Sequence, residues 1–515
     1  MISNAPSGPR DTTDLLSKEE LQSIIEFLAD DLLEGRAPGT RGGRLSELYL
    51  QSLFKLLGFR PGIDDGYLQP FRMKGYTSRD VTVGVPGLEL GSPDDVMGVQ
   101  VRDVSDFSVE GEAVFAGFGI RTPLFGWDDF KSHDVRGKVL IVRANDPGHY
   151  DPSLFEGPAL TYFGRWSCKI EEARRAGARA ILIVHTDESA GYDWGVVERS
   201  WGRENVFLPS SLENGLEFQG WIREESLRRL LATRGLSLEE LYRDTLKETF
   251  EPVPLGVSIR IWGENEFRTL EASNVVAEIP GRSARRIVLS AHIDHIGHRP
   301  DEPGDNVFNG AIDNGSAVAA LVLAAKALNA FREELPYTIT LLACTAEEGG
   351  LLGSYYYVQN SDRSKLVANV NFESTPVWER SRSVMGVGAR YSTMEDHLKE
   401  IAAEEGLLYS EFSRTDQGFF YRSDQFPFAR HGIPAVWISA GEDFESGRDH
   451  FGEILRNTYH TVRDDFDPGW ELEALRQTVR CAVMLVERIG RSPEPPRWTT
   501  RLPFPTETRR IAVGP

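Results

Sequence analysis

An apolar run, Val288-Leu-Ser-Ala, ends in His292-Ile-Asp294, as a buried strand would deliver side chains to its C-terminal rim. Asp313 follows in Asn309-Gly-Ala-Ile-Asp-Asn-Gly315, then Glu347-Glu348 in Cys344-Thr-Ala-Glu-Glu-Gly-Gly350. Glu373 in Asn369-Val-Asn-Phe-Glu373 and His460 in Thr458-Tyr-His-Thr461 complete the series. Two imidazoles and three carboxylates can hold two divalent ions and leave one carboxylate over as a base. That is the apparatus of metal-assisted hydrolysis.

The segments between these residues supply the means of bringing them together. From about residue 272, strand and helix patterns alternate. Strands are expected at 286–291, 337–344, 367–372, 384–387 and 435–439, and helices at 315–330, 351–359 and about 470–489. Such alternation implies an α/β fold, a mostly parallel sheet with helices on both faces. Ligands gather beyond the carboxyl ends of such strands, where His292, Glu347, Glu348 and Glu373 fall. Upstream, residues 18–33 carry apolar positions at helical spacing with Ser17 as N-cap. The Gly- and Arg-rich loop Gly35–Gly43 lacks the Gly-Lys-Ser/Thr ending of a phosphate cradle and follows no buried strand. From about residue 105 the pattern becomes short strands between turns, with a helix at 168–176.

With these motifs in this order, the chain resembles the co-catalytic di-zinc exopeptidases, the family of bacterial leucyl aminopeptidases and glutamate carboxypeptidase. Leu28-Ala-Asp-Asp-Leu-Leu-Glu-Gly-Arg-Ala-Pro-Gly-Thr40 is similar to the family's N-terminal signature, and Phe420-Tyr-Arg-Ser-Asp-Gln-Phe-Pro-Phe428 to its late substrate-site motif. The resemblance implies the zinc exopeptidase fold over residues 1–95 and 270–515, interrupted by a β-rich protease-associated insert at 96–269. It implies two zinc ions bridged by Asp313, with His292 and Glu373 completing one ion and Glu348 and His460 the other. Asp294 is expected to accept the second ring N–H of His292, and Glu347 to act as general base. Tyr421, Arg422, Asp424 and Gln425 are the expected contacts to a peptide substrate. A cis Asp313–Asn314 bond is expected as well. The chain departs from the family in two places: Glu373 stands where Asp is usual, and Gln425 stands where His is common.

The expected reaction is removal of an amino-terminal residue from a peptide. A carboxypeptidase of the same family, a glutaminyl cyclase and a non-catalytic binding homologue are the alternatives. Aminopeptidase is preferred because Glu442, Asp443 and Glu445 crowd the late loop, with no Arg cluster there to grip a substrate carboxylate. His295 and His298 are read as strand-end or loop histidines outside the ligand set.

A chain of 515 residues suggests two or three domains. A net charge of −21 argues against nucleic acid or an anionic membrane as partner. Three scattered cysteines, Cys168, Cys344 and Cys481, make neither a disulfide framework nor a metal knuckle. No apolar run approaches the roughly 20 residues of a membrane helix, and no signal peptide is visible from Met1. The expectation is a cytoplasmic protein; an exported one whose signal lies outside this sequence is the alternative. The oligomeric state is left open.

Overall fold

The computed structural model describes residues 15–506 apart from 65, 213–214 and 301–302, so the stretch searched for a signal peptide, up to residue 14, lies outside the described residues. Ser17 caps the first helix, Lys18–Leu28, by accepting from the Glu20 amide at 3.3 Å. Leu21, Ile24, Ile25 and Leu28 bury one face, as their spacing requires. The helix stops five residues short of the expected end. Asp30 caps a separate short turn, Asp31–Arg36, in which Glu34, Gly35 and Arg36 all adopt left-handed backbone.

Four parallel strands form the centre of the sheet: Tyr337–Cys344, Ser283–His292, Leu366–Asn371 and Ala435–Ala440, in that spatial order. Val253–Ile279 closes one side antiparallel to Tyr337–Cys344, and Ser383–Val387 closes the other antiparallel to Ala435–Ala440. The central strands are buried along nearly their whole length and read as continuous Val/Ile/Leu runs because both faces are covered. The covering helices include Ala317–Asn329 and Glu473–Arg491, which pack on each other. Residues Ala311–Asn329 are long and apolar enough to cross a membrane by composition alone, contrary to the sequence reading, but are almost wholly buried in this core.

The strand Val253–Ile279 is 27 residues long and continues past this parallel sheet. It pairs with Leu68–Val85 and then with Asp106–Phe115, with a bulge between Trp262 and Glu264. This ribbon joins the parallel sheet to a second group of strands, so that a single 16-stranded sheet runs through both. The second group contains parallel strands at Val139–Arg143, Ala180–His185 and Phe218–Arg223, with helices Trp166–Arg175 and Glu224–Ala232. It has its own apolar cores around Phe115, Leu182, Ile261 and around Val142, Ile183, Trp221. A loop and a short strand, Asn205–Phe207, reach back to the side of the parallel sheet. The Leu160 amide donates to the Thr415 carbonyl at 3.2 Å, and Val206 packs so tightly on Gly349 that a Cβ there would lie 2.3 Å from its Cγ2.

Candidate metal centre

Parallel register brings the strand ends level. His292 is the last residue of its strand and pairs with Cys344, the last residue of the next. Glu347 and Glu348 lie three and four residues beyond Cys344, and Glu373 lies two beyond Asn371. Asp313 sits in the turn Ala311–Ser316 that leads into the buried helix, and its bond to Asn314 is cis. His460 follows the helix His450–Asn457 in a left-handed conformation (φ 56°) that turns its ring inward.

The five expected ligands converge. His292 Nε2 lies 3.0 Å from Glu373 Oε1 and 3.3 Å from Asp313 Oδ1. His460 Nε2 lies 3.4 Å from Asp313 Oδ2 and 3.2 Å from Glu348 Oε1. The two oxygens of Asp313 thus face different imidazoles, the arrangement a carboxylate needs to span two ions. Donors about 2.0–2.1 Å from a tetrahedral zinc stand about 3.3 Å apart, so these separations fit an ion between each pair. Glu347 Oε2 is 3.9 Å from His292 Nε2 and borders the same space.

Backbone anchors hold the ligands. The Asp294 carboxylate accepts the amides of Glu347 and Glu348 at 3.1 and 3.3 Å. This corrects the sequence reading. The Nδ1 atom of His292 is bound instead by the main-chain carbonyl of Asp294 at 3.1 Å, and the carboxylate stands 3.9 Å away. The strand ends at His292, so the Asp294 carbonyl fixes the tautomer and the Asp294 side chain is left to orient the Glu-Glu loop. Asp464 accepts the amides of Ile312 and Asp313 at 2.7 and 2.9 Å. Buried Arg36, from the N-terminal signature, donates to four carbonyls: Leu28, Ile293, Asn309 and Gly310. Gly35 makes this possible, since its Cβ would meet the Gly297 carbonyl oxygen at 2.4 Å.

Burial dominates the electrostatics. It raises Glu347 well above the carboxylate range and raises Asp294 to about 7 and Asp464 to about 6. Burial opposes ionisation of Asp313 and Glu348 too, but the neighbouring imidazoles outweigh it and hold both below that range. In the metal-free centre, burial opposes a charge on His460, yet Glu348 and Asp313 raise it to about 9.

The expected substrate contacts divide. Arg422 lines a cavity with Asp313, Glu347 and Glu373, and donates to the Tyr459 hydroxyl at 3.2 Å. The other three point into the fold, because the turn Phe419–Tyr421 and the helix Gln425–Arg430 bury them. Tyr421 packs among Phe420, Phe426 and Phe504. Asp424 accepts from Ser354, and Gln425 spends its amide on the Phe420 carbonyl and on Asn371. The same cavity is walled by Phe412, Phe419, Trp437, Phe451 and Ile454. Arg165 and Arg203 come from the second group of strands and helices and lie within electrostatic reach of Arg422 and Glu348, respectively. His295, left out of the ligand set by the sequence reading, lies inside the centre: its Nδ1 is 3.0 Å from Glu348 Oε1. Its position next to Asp294 was the only available signal.

Comparison with known proteins gives the family and the fold likeness of the chain. Residues 274–486 match the model of peptidase family M28. The chain is 32% identical over 451 residues to a probable leucine aminopeptidase 2 of Aspergillus oryzae, covering 83% of this chain and 76% of that protein. It is 29% identical over 229 residues to leucine aminopeptidase 2 of Trichophyton equinum, a match that spans only 42% of either protein. Among solved structures, an aminopeptidase from Aneurinibacillus sp. strain AM-1 matches with a TM-score of 0.57 at 18% identity, covering 96% of this chain and 98% of that one. That likeness is one of fold.

Proposed function

Since the chain belongs to peptidase family M28, we propose that it is a zinc aminopeptidase that removes amino-terminal residues from peptides with a two-ion centre. The observation that carries this reading is Asp313, whose two carboxylate oxygens each face a separate imidazole–carboxylate pair. The donor set of imidazoles and carboxylates suits zinc, and the relatives named as leucine aminopeptidases support the same reaction. His292 and Glu373 would hold one ion, Glu348 and His460 the other, with Asp313 shared. When bound, zinc supplies Lewis acidity to the scissile carbonyl and to the attacking water.

The remaining steps fall to the chain's own groups. Glu347, which borders the space beside His292, would take the proton of the attacking water and return it to the leaving amine. Asp294 would fix its loop by gripping both amides. The cavity between Phe412, Trp437 and Ile454 would receive the amino-terminal side chain, which its apolar walls suit. The segment 96–269 would act as a wall of the cleft, the role of a protease-associated insert; its loop at Leu160 and its strand residue Val206 contact Thr415 and Gly349.

A panel of aminoacyl-p-nitroanilides, each also N-acetylated, tests the reading. Leucyl and other apolar substrates should be hydrolysed, N-acetylation should abolish turnover, and chelation followed by zinc should remove and restore activity. Equal turnover of acetylated and free substrates would refute an aminopeptidase.

A further inference from the structure

His295 follows Asp294 and is fully buried. Its Nδ1 stands 3.0 Å from Glu348 Oε1, yet neither atom makes a hydrogen bond of usable direction, and Nε2 has no partner among the described residues. Two buried polar atoms facing each other this closely without a hydrogen bond is costly, unless something sits between them. His295 and the Asp313 and Glu348 carboxylates each offer a ligand atom, and all three atoms lie within 4.8 Å of one another. The His460 ring is 5.8 Å away, centroid to centroid. The ring is also made room for: at Gly310 a Cβ would lie 2.6 Å from His295 Cγ.

On the reading of this site as a zinc centre, we propose that His295 is a further protein ligand of the ion held by Asp313, Glu348 and His460. That ion then has two imidazoles and two carboxylates. The ion at His292 and Glu373 has a single imidazole, so the centre is asymmetric. Nitrogen-rich ligation favours zinc, so the His295 side fills first and holds its ion more tightly.

The test uses the full-length protein loaded with cobalt(II), whose paramagnetism shifts the ring N–H proton of each ligating histidine out of the normal proton NMR range. Three shifted, exchangeable N–H signals are expected, from His292, His295 and His460. H295Q should show two, and zinc competition titration should find the tighter of two sites weakened at least about 10-fold, the lower end of what even an outer-shell partner is worth. Two signals in the unsubstituted protein would overturn the assignment while leaving the two-ion centre standing. No shifted signals, with cobalt failing to bind, would overturn the centre itself and His295 with it. Unchanged affinity at both sites in H295Q would also overturn the assignment, since a residue that merely positions Glu348 through a hydrogen bond can be replaced by an amide donor.

Discussion

Glu347→Gln separates proton transfer from metal binding at one atom. The glutamine keeps the volume of a side chain that borders the cavity with Asp313 and Glu373, and its amide remains gripped by Asp294. What it loses is the capacity to accept a proton. General-base removal costs about 10²–10⁴ in rate, and at 1.36 kcal/mol per decade this is about 3–5 kcal/mol of transition-state stabilisation. The geometry also allows a competing role, because Glu347 joins His292 and Glu373 in a cluster compact enough to hold an ion. The two roles respond differently to zinc. A base leaves zinc content and thermal midpoint unchanged and kcat low at every zinc concentration. A ligand lowers zinc content and regains activity as zinc is added. The assay is kcat for leucyl-p-nitroanilide across a zinc titration, with bound zinc measured by elemental analysis, for Glu347→Gln and Glu348→Gln side by side. Partial recovery is expected for Glu348→Gln alone. Near-normal turnover in Glu347→Gln, or its rescue by zinc, would refute the assignment.

Asp313→Ala should lose both ions, whereas Glu373→Ala or His460→Ala should lose one; elemental analysis after gel filtration counts them. Asp464→Ala leaves the Ile312 and Asp313 amides buried without their acceptor, at a cost of about 1–3 kcal/mol each. Urea denaturation should read that loss, together with reduced zinc content. Removal of metal should make stability fall as pH rises: His460, raised from 6.5 to about 9, contributes stability that is fully present below 6.5 and lost through about 9. Thermal midpoints of apoprotein and zinc-loaded protein across that window check the sign, with the decline expected in the apoprotein. Ile454→Arg should lower kcat/KM for leucyl-p-nitroanilide about 10–100-fold, the 1.5–3 kcal/mol of burying a leucine side chain, with zinc content unchanged.

Local pattern was enough to single out the residues that the fold brings together as candidate ligands. His292 ends a continuous apolar run, and Glu348 and Glu373 follow two others within a few residues; a run buried on both faces must be a central strand, so residue type and strand end together pointed to the candidate site. The helix at Ala317–Asn329 and its sheet were legible for the same reason, since their signals are local. Side-chain direction beyond a strand end was not local. The strand period lapses there, so nothing in His292-Ile-Asp294-His295 says that the Asp294 carbonyl, not its carboxylate, would hold His292, or that the His295 ring would turn inward beside Glu348. Phe420–Phe428 marked a functional neighbourhood, but only packing decided that Arg422 faces the cavity while Tyr421, Asp424 and Gln425 face the interior. Arg36 binds the carbonyl of Gly310 from far along the chain, and Arg165 and Arg203 come within electrostatic reach of Arg422 and Glu348. The ribbon formed by Leu68–Val85 and Val253–Ile279 joins the second group of strands to the central sheet, a long-range pairing that no sequence window contains.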